Sequence, residues 1–248
     1  MKRKGTGVWY AYGIFVVLAL WHIVASWVRL PIIPSPWLVM VNLSNIFVAK
    51  IAIHSFYSLW RILAGVLLAV IVGIPVGYCM GYLPKCDRAL SPIVYLTYPI
   101  PKIALLPVMM LLFGLGELSK ILLLFLIIVF QVIVAVRDEV KSIPKETYYS
   151  LYSLGAGLMD IVREILIPAS LPKILTSLRV AMATAISVLF FTETFGTQYG
   201  MGYFIMDAWM RVNYLEMYSG IMVLSSIGLI LFGTIDYLER KVCSWQYK

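Results

Sequence analysis

Long apolar stretches separated by short polar segments dominate this chain. Six stretches reach the length of about 20 residues that a helix needs to cross a membrane. They cover residues 8–28, 57–81, 89–113, 119–136, 174–195 and 214–237. The pattern predicts an all-α integral membrane protein with six transmembrane helices. We expect a single transmembrane domain over residues 1–248, with its core at about 57–237.

Composition supports a membrane protein and leaves no room for a soluble catalytic domain. Hydrophobic residues make up 62% of the chain and charged residues 13%, and the mean hydropathy is +0.92. So little polar surface does not cover a soluble globule. The three cysteines, Cys79, Cys86 and Cys243, have no metal-ligand spacing, and we expect free thiols and no metal site.

The net charge of +8 is interpreted as a signal of topology and not of nucleic-acid binding. With a cytoplasmic N-terminus, most of the 20 basic residues fall on cytoplasmic segments, namely Lys2, Arg3, Lys4, Lys85, Arg88, Arg137, Lys141, Lys145, Arg163, Lys173, Arg179, Arg240, Lys241 and Lys248. We therefore expect both termini of this multi-pass cell-membrane protein to be cytoplasmic.

Two stretches contain helix breakers. In the third, Pro99, Pro101 and Pro107 surround Lys102, which predicts a kinked or broken helix. Irregular backbone at membrane depth requires cover by protein or by a water-filled cavity. A kinked helix that serves only packing is the alternative. In the second stretch, the glycines predict close helix packing, at Gly65, Gly73, Gly77 and Gly81.

The main polar segment, residues 141–173, predicts a cytoplasmic helix-turn-helix hairpin. Its first helix has Ser142 as the cap and Pro144 as the first residue, and it ends near Leu154. Residues 155–157 form the turn, and a second helix covers about 158–166 until proline ends it, at Pro168 and Pro172. Such a hairpin can be gripped by another protein, or it can rest on lipid headgroups as an interfacial connector.

The hairpin resembles that of permease subunits of type I ABC importers, in the branch of nitrate, sulfonate, taurine and bicarbonate systems. The matching residues are Pro144-Lys-Glu146, Leu154-Gly155 and Ile165-Leu-Ile-Pro168 through Pro172, although larger residues replace the two alanines of the family signature. Further matching segments follow in order: Ile33-Pro-Ser-Pro36, His54 to Ser58 with Arg61, Gly73-Ile-Pro75, Pro99 to Pro107, Phe113 to Gly116 and Thr192-Glu193 with Gly200-Met-Gly202.

The resemblance implies a subunit that transports and is not an enzyme. Two permeases, identical or related, form the pathway, and a solute-binding protein delivers the substrate to its outer mouth. Nitrate, sulfonates, taurine, bicarbonate and small aromatic or vitamin-precursor molecules are all compatible with this branch. Lys102 and the net positive charge favour a small anion. Each hairpin docks on an ABC ATPase subunit, through Glu146, Ser150, Leu154, Gly155, Ile165, Pro168 and Pro172. The chain has no G-x-x-x-x-G-K-[ST] motif, so ATP and Mg²⁺ are expected on the ATPase and no cofactor on this chain.

Candidates for the pathway or its gate are ionisable residues and breakers inside the spans and two glycines of the loop after the fifth span, namely Lys102, Pro101, Pro107, Glu193, Gly200 and Gly202. Lys102 faces a substrate anion, or else pairs or snorkels. For Glu193 the favoured hypothesis is structural: it holds the loop that carries Gly200 and Gly202. His54 is interpreted as a packed or interfacial histidine.

Two alternatives from other classes remain at this point. A membrane-embedded enzyme needs clustered catalytic groups, and the two histidines are scattered. An ion-gradient-driven secondary transporter usually shows internal repeats and more intramembrane acids. Dependence of transport on ATP separates both from an ABC importer.

Overall fold

The computed structural model describes residues 6–247, and that range contains helices and no strand. The α-helices are α1 Thr6–Val28, α2 Pro36–Ile46, α3 Ala52–Tyr82, α4 Pro84–Thr97, α5 Leu106–Phe113, α6 Glu117–Ser142, α7 Lys145–Ser153, α8 Leu158–Ile161, α9 Ile167–Glu193, α10 Met201–Met210 and α11 Tyr214–Val242. Wider π-helical turns join α2 to α3 and α8 to α9, at Phe47–Ile51 and Val162–Leu166. Short 3₁₀ turns lie at Lys102–Leu105 and Ser244–Tyr247. The basic residues Lys2, Arg3, Lys4 and Lys248 lie outside the described range.

Five helical segments in this range are long and apolar enough to cross a membrane, namely Ala11–Val28, Pro36–Tyr82, Glu117–Ser142, Leu158–Glu193 and Tyr214–Val242. The remaining predicted span, the third, consists of two pieces, Pro84–Thr97 and Lys102–Phe113, which meet at an angle of 80°. Counted as one broken span, they bring the total to the predicted six.

The second span is longer than predicted. It begins at Pro36, where the Ser35 hydroxyl accepts a hydrogen bond from the Leu38 amide at 3.5 Å. The prediction of 57–81 was wrong at its first end because the polar residue Lys50 interrupts the apolar pattern. In the structure, Lys50 lies in a π-helical turn and pairs with Glu216 of α11, their charged atoms 2.5 Å apart.

Helices α3 and α6 pack in close contact, as the glycines of the second span predicted. A β-carbon added at these glycines would lie 2.5 to 2.9 Å from a β-carbon of α6, in the pairs Gly65 with Leu124, Gly73 with Val132, Gly77 with Val136 and Gly81 with Val140. In these pairs the residue number rises along α6 as it rises along α3, so the two helices run parallel. Small residues at four-residue spacing allow this approach of two backbones within a membrane.

The proline-rich third span is broken, as predicted. Helix α4 ends at Thr97, Pro99 lies in the following turn, and Pro101 precedes the 3₁₀ turn. Pro107 does not break the helix again, since it occupies the first turn of α5, where its missing amide hydrogen is not needed. The chain therefore changes direction near the middle of the span.

Three predictions for the hairpin were wrong. Pro168 and Pro172 do not end the second helix, because α8 continues through a π-helical turn into α9. The wider turn bonds the Ile167 amide to the Val162 carbonyl directly before Pro168, and Pro172 lies inside α9. Ser142 does not cap α7 either, because it ends α6 and its hydroxyl donates to the Glu139 carbonyl at 2.7 Å. Pro144 is the N-cap residue of α7 and not its first helical residue.

The prediction of three free thiols was also wrong. Cys79 lies in the last turn of α3 and Cys86 in the first turn of α4, and the structure joins them in a disulfide. The tight corner between the helices brings their α-carbons to 6.1 Å, within disulfide range. Cys243 is a buried free thiol, as expected.

Candidate functional site

The hairpin presents an exposed apolar tip. Leu154 is 85% exposed, and Leu158 and Met159 are 59% and 61% exposed. Gly155 forms the turn with φ of +73°, and no other atom would contact a β-carbon placed there. A left-handed backbone strains residues that have a β-carbon, so glycine suits this turn.

The hairpin candidates fall into two groups. Glu146 and Ser150 are exposed on α7, where a partner can reach them. Ile165 and Pro172 are buried. Both lie beneath the surface of the hairpin, so any part that they have in coupling is to support the exposed residues. Pro168 is half-buried in the first turn of α9.

Three tyrosines attach the hairpin to α3. The hydroxyls of Tyr82 and Tyr152 are 2.8 Å apart, and Tyr148 stacks on Tyr152 with ring centroids at 6.5 Å. Burial raises the pKa of Tyr148. A displacement of α7 therefore acts directly on the end of a transmembrane helix.

At the opposite end of the spans, Arg61 of α3 holds two carboxylates. Its Nη1 donates to Glu193 of α9 at 2.6 Å, and its Nε and Nη2 form a paired contact with Glu117 of α6 at 2.6 and 2.5 Å. Arg61 and Glu193 are fully buried, whereas Glu117 is 41% exposed. We define Arg61, Glu117 and Glu193 as the outer ion cluster. It joins three spans at one level.

The outer ion cluster also fixes the loop between α9 and α10, as predicted for Glu193. Its Oε2 accepts the Gly202 amide hydrogen at 2.9 Å, and Arg61 Nη1 donates to the Tyr199 carbonyl at 2.8 Å. A β-carbon on Gly200 would lie 2.4 Å from the Glu193 carboxyl carbon, at φ of +129°. His54 is packed, as expected: its Nδ1 accepts from the Gly200 amide at 3.1 Å.

Lys120 is a second buried cation beside this cluster. It is 1% exposed, and its Nζ donates to the carbonyls of Leu115, Gly116 and Gly196 at 2.8, 3.1 and 3.4 Å. These oxygens belong to the turn before α6 and to the loop after α9. Lys120 therefore ties the same two regions together that the outer ion cluster joins.

Lys102 occupies the break of the third span. Its Nζ donates to the carbonyls of Thr97 and Tyr98 at 3.1 and 3.0 Å. These carbonyls have no helical partner because α4 ends there. The ammonium also lies 4.9 Å from the centre of the Phe130 ring. Pro101 and Pro107 flank this site and are exposed on the chain surface.

Sequence reasoning missed Arg61, Glu117 and Lys120 as members of the buried polar network. Arg61 was assigned only to a matching segment, and no role was assigned to Lys120. A charged side chain in an apolar span needs a partner of opposite charge, so Arg61 and Glu193 could have been paired on that ground. No comparable rule identifies Glu117, because it lies at the start of its helix.

Comparison with known proteins gives one consistent family. The model of the binding-protein-dependent transport system inner membrane component matches residues 65–243. The taurine transport system permease protein TauC of Escherichia coli (strain K12) is 32% identical over 238 residues, 93% of this chain and 86% of TauC. The formylaminopyrimidine transport permease protein ThiX of Halalkalibacterium halodurans is 26% identical over 249 residues, the full length of both.

A further relative and a solved structure are also similar to this chain. The putative aliphatic sulfonates transport permease protein SsuC of Bacillus subtilis (strain 168) is 25% identical over 93% of this chain and 85% of SsuC. A solved structure of the MetNI methionine ABC transporter in an inward-facing conformation aligns with a TM-score of 0.65 at 22% identity. That alignment covers 75% of this chain and 93% of the MetNI chain, and it shows a shared fold.

Proposed function

Because this chain belongs to the family of binding-protein-dependent transport system inner membrane components, we propose that it pairs with a second permease to carry a small anion inward. The protein is a multi-pass inner-membrane permease of an ABC importer and not an enzyme. Such importers work with ATPase subunits and a solute-binding protein. The proposal concerns the contacts, the substrate and the orientation of this particular subunit.

The exposed tip of the hairpin is the observation that carries the coupling role. Leu154, Leu158 and Met159 expose apolar side chains at a turn that Gly155 shapes. A groove on an ABC ATPase buries these side chains, with Glu146 and Ser150 at its rim. ATP and Mg²⁺ bind on the ATPase. Closure of the ATPase pair moves the hairpin, and the Tyr82 to Tyr152 contact transmits this movement to α3.

The names of the relatives and the charge of the third span support an anionic substrate. TauC and SsuC are named for taurine and aliphatic sulfonates, whereas ThiX is named for formylaminopyrimidine. Lys102 places a positive charge at the break of the third span, and its side chain forms no ion pair within residues 6–247. A sulfonate, or another small oxyanion, is the substrate class that this charge favours.

The distribution of basic residues supports the orientation. The face that carries α7 also carries Lys141, Lys145 and Arg240, which favours the cytoplasm under the positive-inside rule. The outer ion cluster then faces the extracytoplasmic side, where the binding protein docks. Labelling of a cysteine introduced at Lys241 in intact cells tests this orientation, since a cytoplasmic position is protected from an impermeant reagent.

Co-purification with the ATPase in mild detergent tests the coupling role. Leu154→Glu places a charge on the exposed tip and is expected to abolish association, because the groove would have to bury the carboxylate. Lys241→Glu is the matched control, since it introduces the same residue at an exposed position of the same face outside the hairpin. Equal ATPase retention by the two variants contradicts docking through the hairpin tip.

A further inference from the structure

A cavity of about 290 Å³ lies where the broken third span meets α6 and α9. Its lining is mostly apolar and contains no carboxylate, and consists of Tyr98, Ile100, Lys102, Ile103, Ile127, Gln131 and Val188. Lys102 and Gln131 are its strongly polar side chains. Apolar walls with a few convergent polar groups are typical of small-molecule sites.

Both polar side chains lie near the middle of the membrane. Gln131 is eleven residues before the end of α6 at Ser142, so at 1.5 Å per residue it lies roughly 17 Å from the hairpin face. Lys102 follows the fourteen residues of α4, which span roughly 21 Å from the same face. The cavity is therefore within the hydrocarbon region.

Lys102 retains donor capacity and uncompensated charge. Two of the three ammonium hydrogens are occupied by the carbonyls of Thr97 and Tyr98. The ammonium has no third hydrogen-bond acceptor within the described chain, where the Phe130 ring lies 4.9 Å away, so the third hydrogen can bond a ligand in the cavity. In the described part of the chain, no carboxylate pairs with Lys102, and an unpaired charge at this depth is costly. A bound anion supplies the missing counter-charge.

Gln131 is an independent second observation. It is the one polar side chain between Ile121 and Val136, and α6 is otherwise apolar over that stretch. Its amide forms no hydrogen bond with any residue the structure describes, although it lines the cavity beside Lys102. An amide at membrane depth needs a partner or water. Helix packing does not supply that partner here.

We infer that Lys102 and Gln131 form a relay site in the translocation pathway for the oxyanion head group of the substrate. The ammonium supplies charge and one hydrogen, and the glutamine amide supplies two further hydrogens, which suits the several acceptor oxygens of a sulfonate. The apolar wall accepts the organic part. This inference rests on the proposed function and assigns the anion to a specific pair of residues.

Uptake by the complete transporter in proteoliposomes tests the relay site, with its ATPase and binding protein present and taurine, ethanesulfonate and formylaminopyrimidine as probes. Gln131→Leu deletes only the amide, so we expect sulfonate uptake to fall about tenfold, the loss of one hydrogen bond to a charged group. ATP hydrolysis stimulated by the loaded binding protein should stay within about twofold of the wild-type rate, because Gln131 lies away from the hairpin. Thr234→Val, which changes a lipid-depth hydroxyl of α11 outside the cavity, is the matched control.

A second pair of variants separates the charge of Lys102 from its contacts with the helix end. Lys102→Arg preserves charge and donors and should retain most sulfonate uptake, whereas Lys102→Met should lose it. Gln131→Glu places a carboxylate beside the ammonium and should also abolish sulfonate uptake, because the site then holds its own anion.

The outcomes distinguish this inference from the proposed function. Normal sulfonate uptake by Gln131→Leu overturns the relay site but does not contradict the proposed function as an importer of anions. A wild-type transporter that takes up formylaminopyrimidine and no sulfonate overturns both the anionic substrate and the relay site. If Gln131→Leu loses both sulfonate uptake and the ATP hydrolysis that the loaded binding protein stimulates, the relay site is overturned as well. The defect then lies in assembly or coupling.

Discussion

Replacing Arg61 with methionine should destabilise the permease more than any surface substitution. The side chain is fully buried and makes three short contacts with the carboxylates of Glu117 and Glu193. Methionine fills a similar volume without charge, so the main effect is electrostatic. Glu193 then stays in a buried site with the Ser58 hydroxyl and the Gly202 amide as its remaining partners.

The magnitude follows from the stranded charge. Removal of one partner from a buried ion pair costs about 3–5 kcal/mol. Glu193→Gln keeps the shape of the site and leaves Arg61 paired with Glu117, so a smaller loss of about 1–3 kcal/mol is expected. In the double variant both charges of the buried pair are absent and only the exposed carboxylate of Glu117 loses its partner, so the two losses should overlap by about 0.5–3 kcal/mol.

Reversible unfolding in mixed micelles, titrated with SDS and followed by circular dichroism, measures these free energies. Arg211→Met is the control, because Arg211 is 48% exposed in its pairs with Asp207 and Glu216 and should lose at most about 1 kcal/mol. The reasoning is refuted if Arg61→Met costs no more than this control, or if the losses of the two cluster variants simply add.

Three further predictions concern packing and the hairpin. Gly77→Ala forces a β-carbon to within 2.6 Å of a valine on α6 and should cost about 1–3 kcal/mol in the same titration, whereas Gly13→Ala meets open space and should be neutral or slightly stabilising. Gly155→Ala should cost about 1–2 kcal/mol of local hairpin stability, because residue 155 has a left-handed backbone. Proteolysis of the hairpin should be faster than in the wild type, and an unchanged rate contradicts this. Tyr152→Phe removes the hydroxyl contact with Tyr82, so hydrogen exchange in α7 should accelerate while the permease still binds the ATPase. Loss of ATPase binding would instead indicate that Tyr152 contacts the ATPase directly.

The broken third span illustrates what local sequence predicts well. Proline removes a backbone donor wherever it lies inside a helix, so Pro99 and Pro101 indicated the break without tertiary information. The same rule failed at Pro168, because a π-helical turn accommodates the ring and the helix continues. Whether a proline ends a helix depends on the hydrogen bonds that neighbouring turns can rearrange.

The cavity beside the broken third span shows what local sequence predicts poorly. Gln131 stands alone in an apolar run, and that isolation was a signal that could have identified it. Its proximity to Lys102 was not predictable, because the two residues lie on different spans and their approach depends on how the break in the third span turns the chain.

The sequence by itself determined the class of this protein: a membrane chain with about six spans, a polar hairpin on one face and a glycine face on the second span. These features follow from the length of apolar runs, the spacing of glycines and the conformational limits of proline, all of which are local. Only the tertiary structure decided which charges meet. Arg61, Glu117 and Glu193 are far apart in the chain, and the parallel packing of α3 and α6 brings them to one level. Water does not solvate a charge that is buried between helices, as Arg61 and Glu193 are, so the pairing of these distant residues is set by the packing of whole helices.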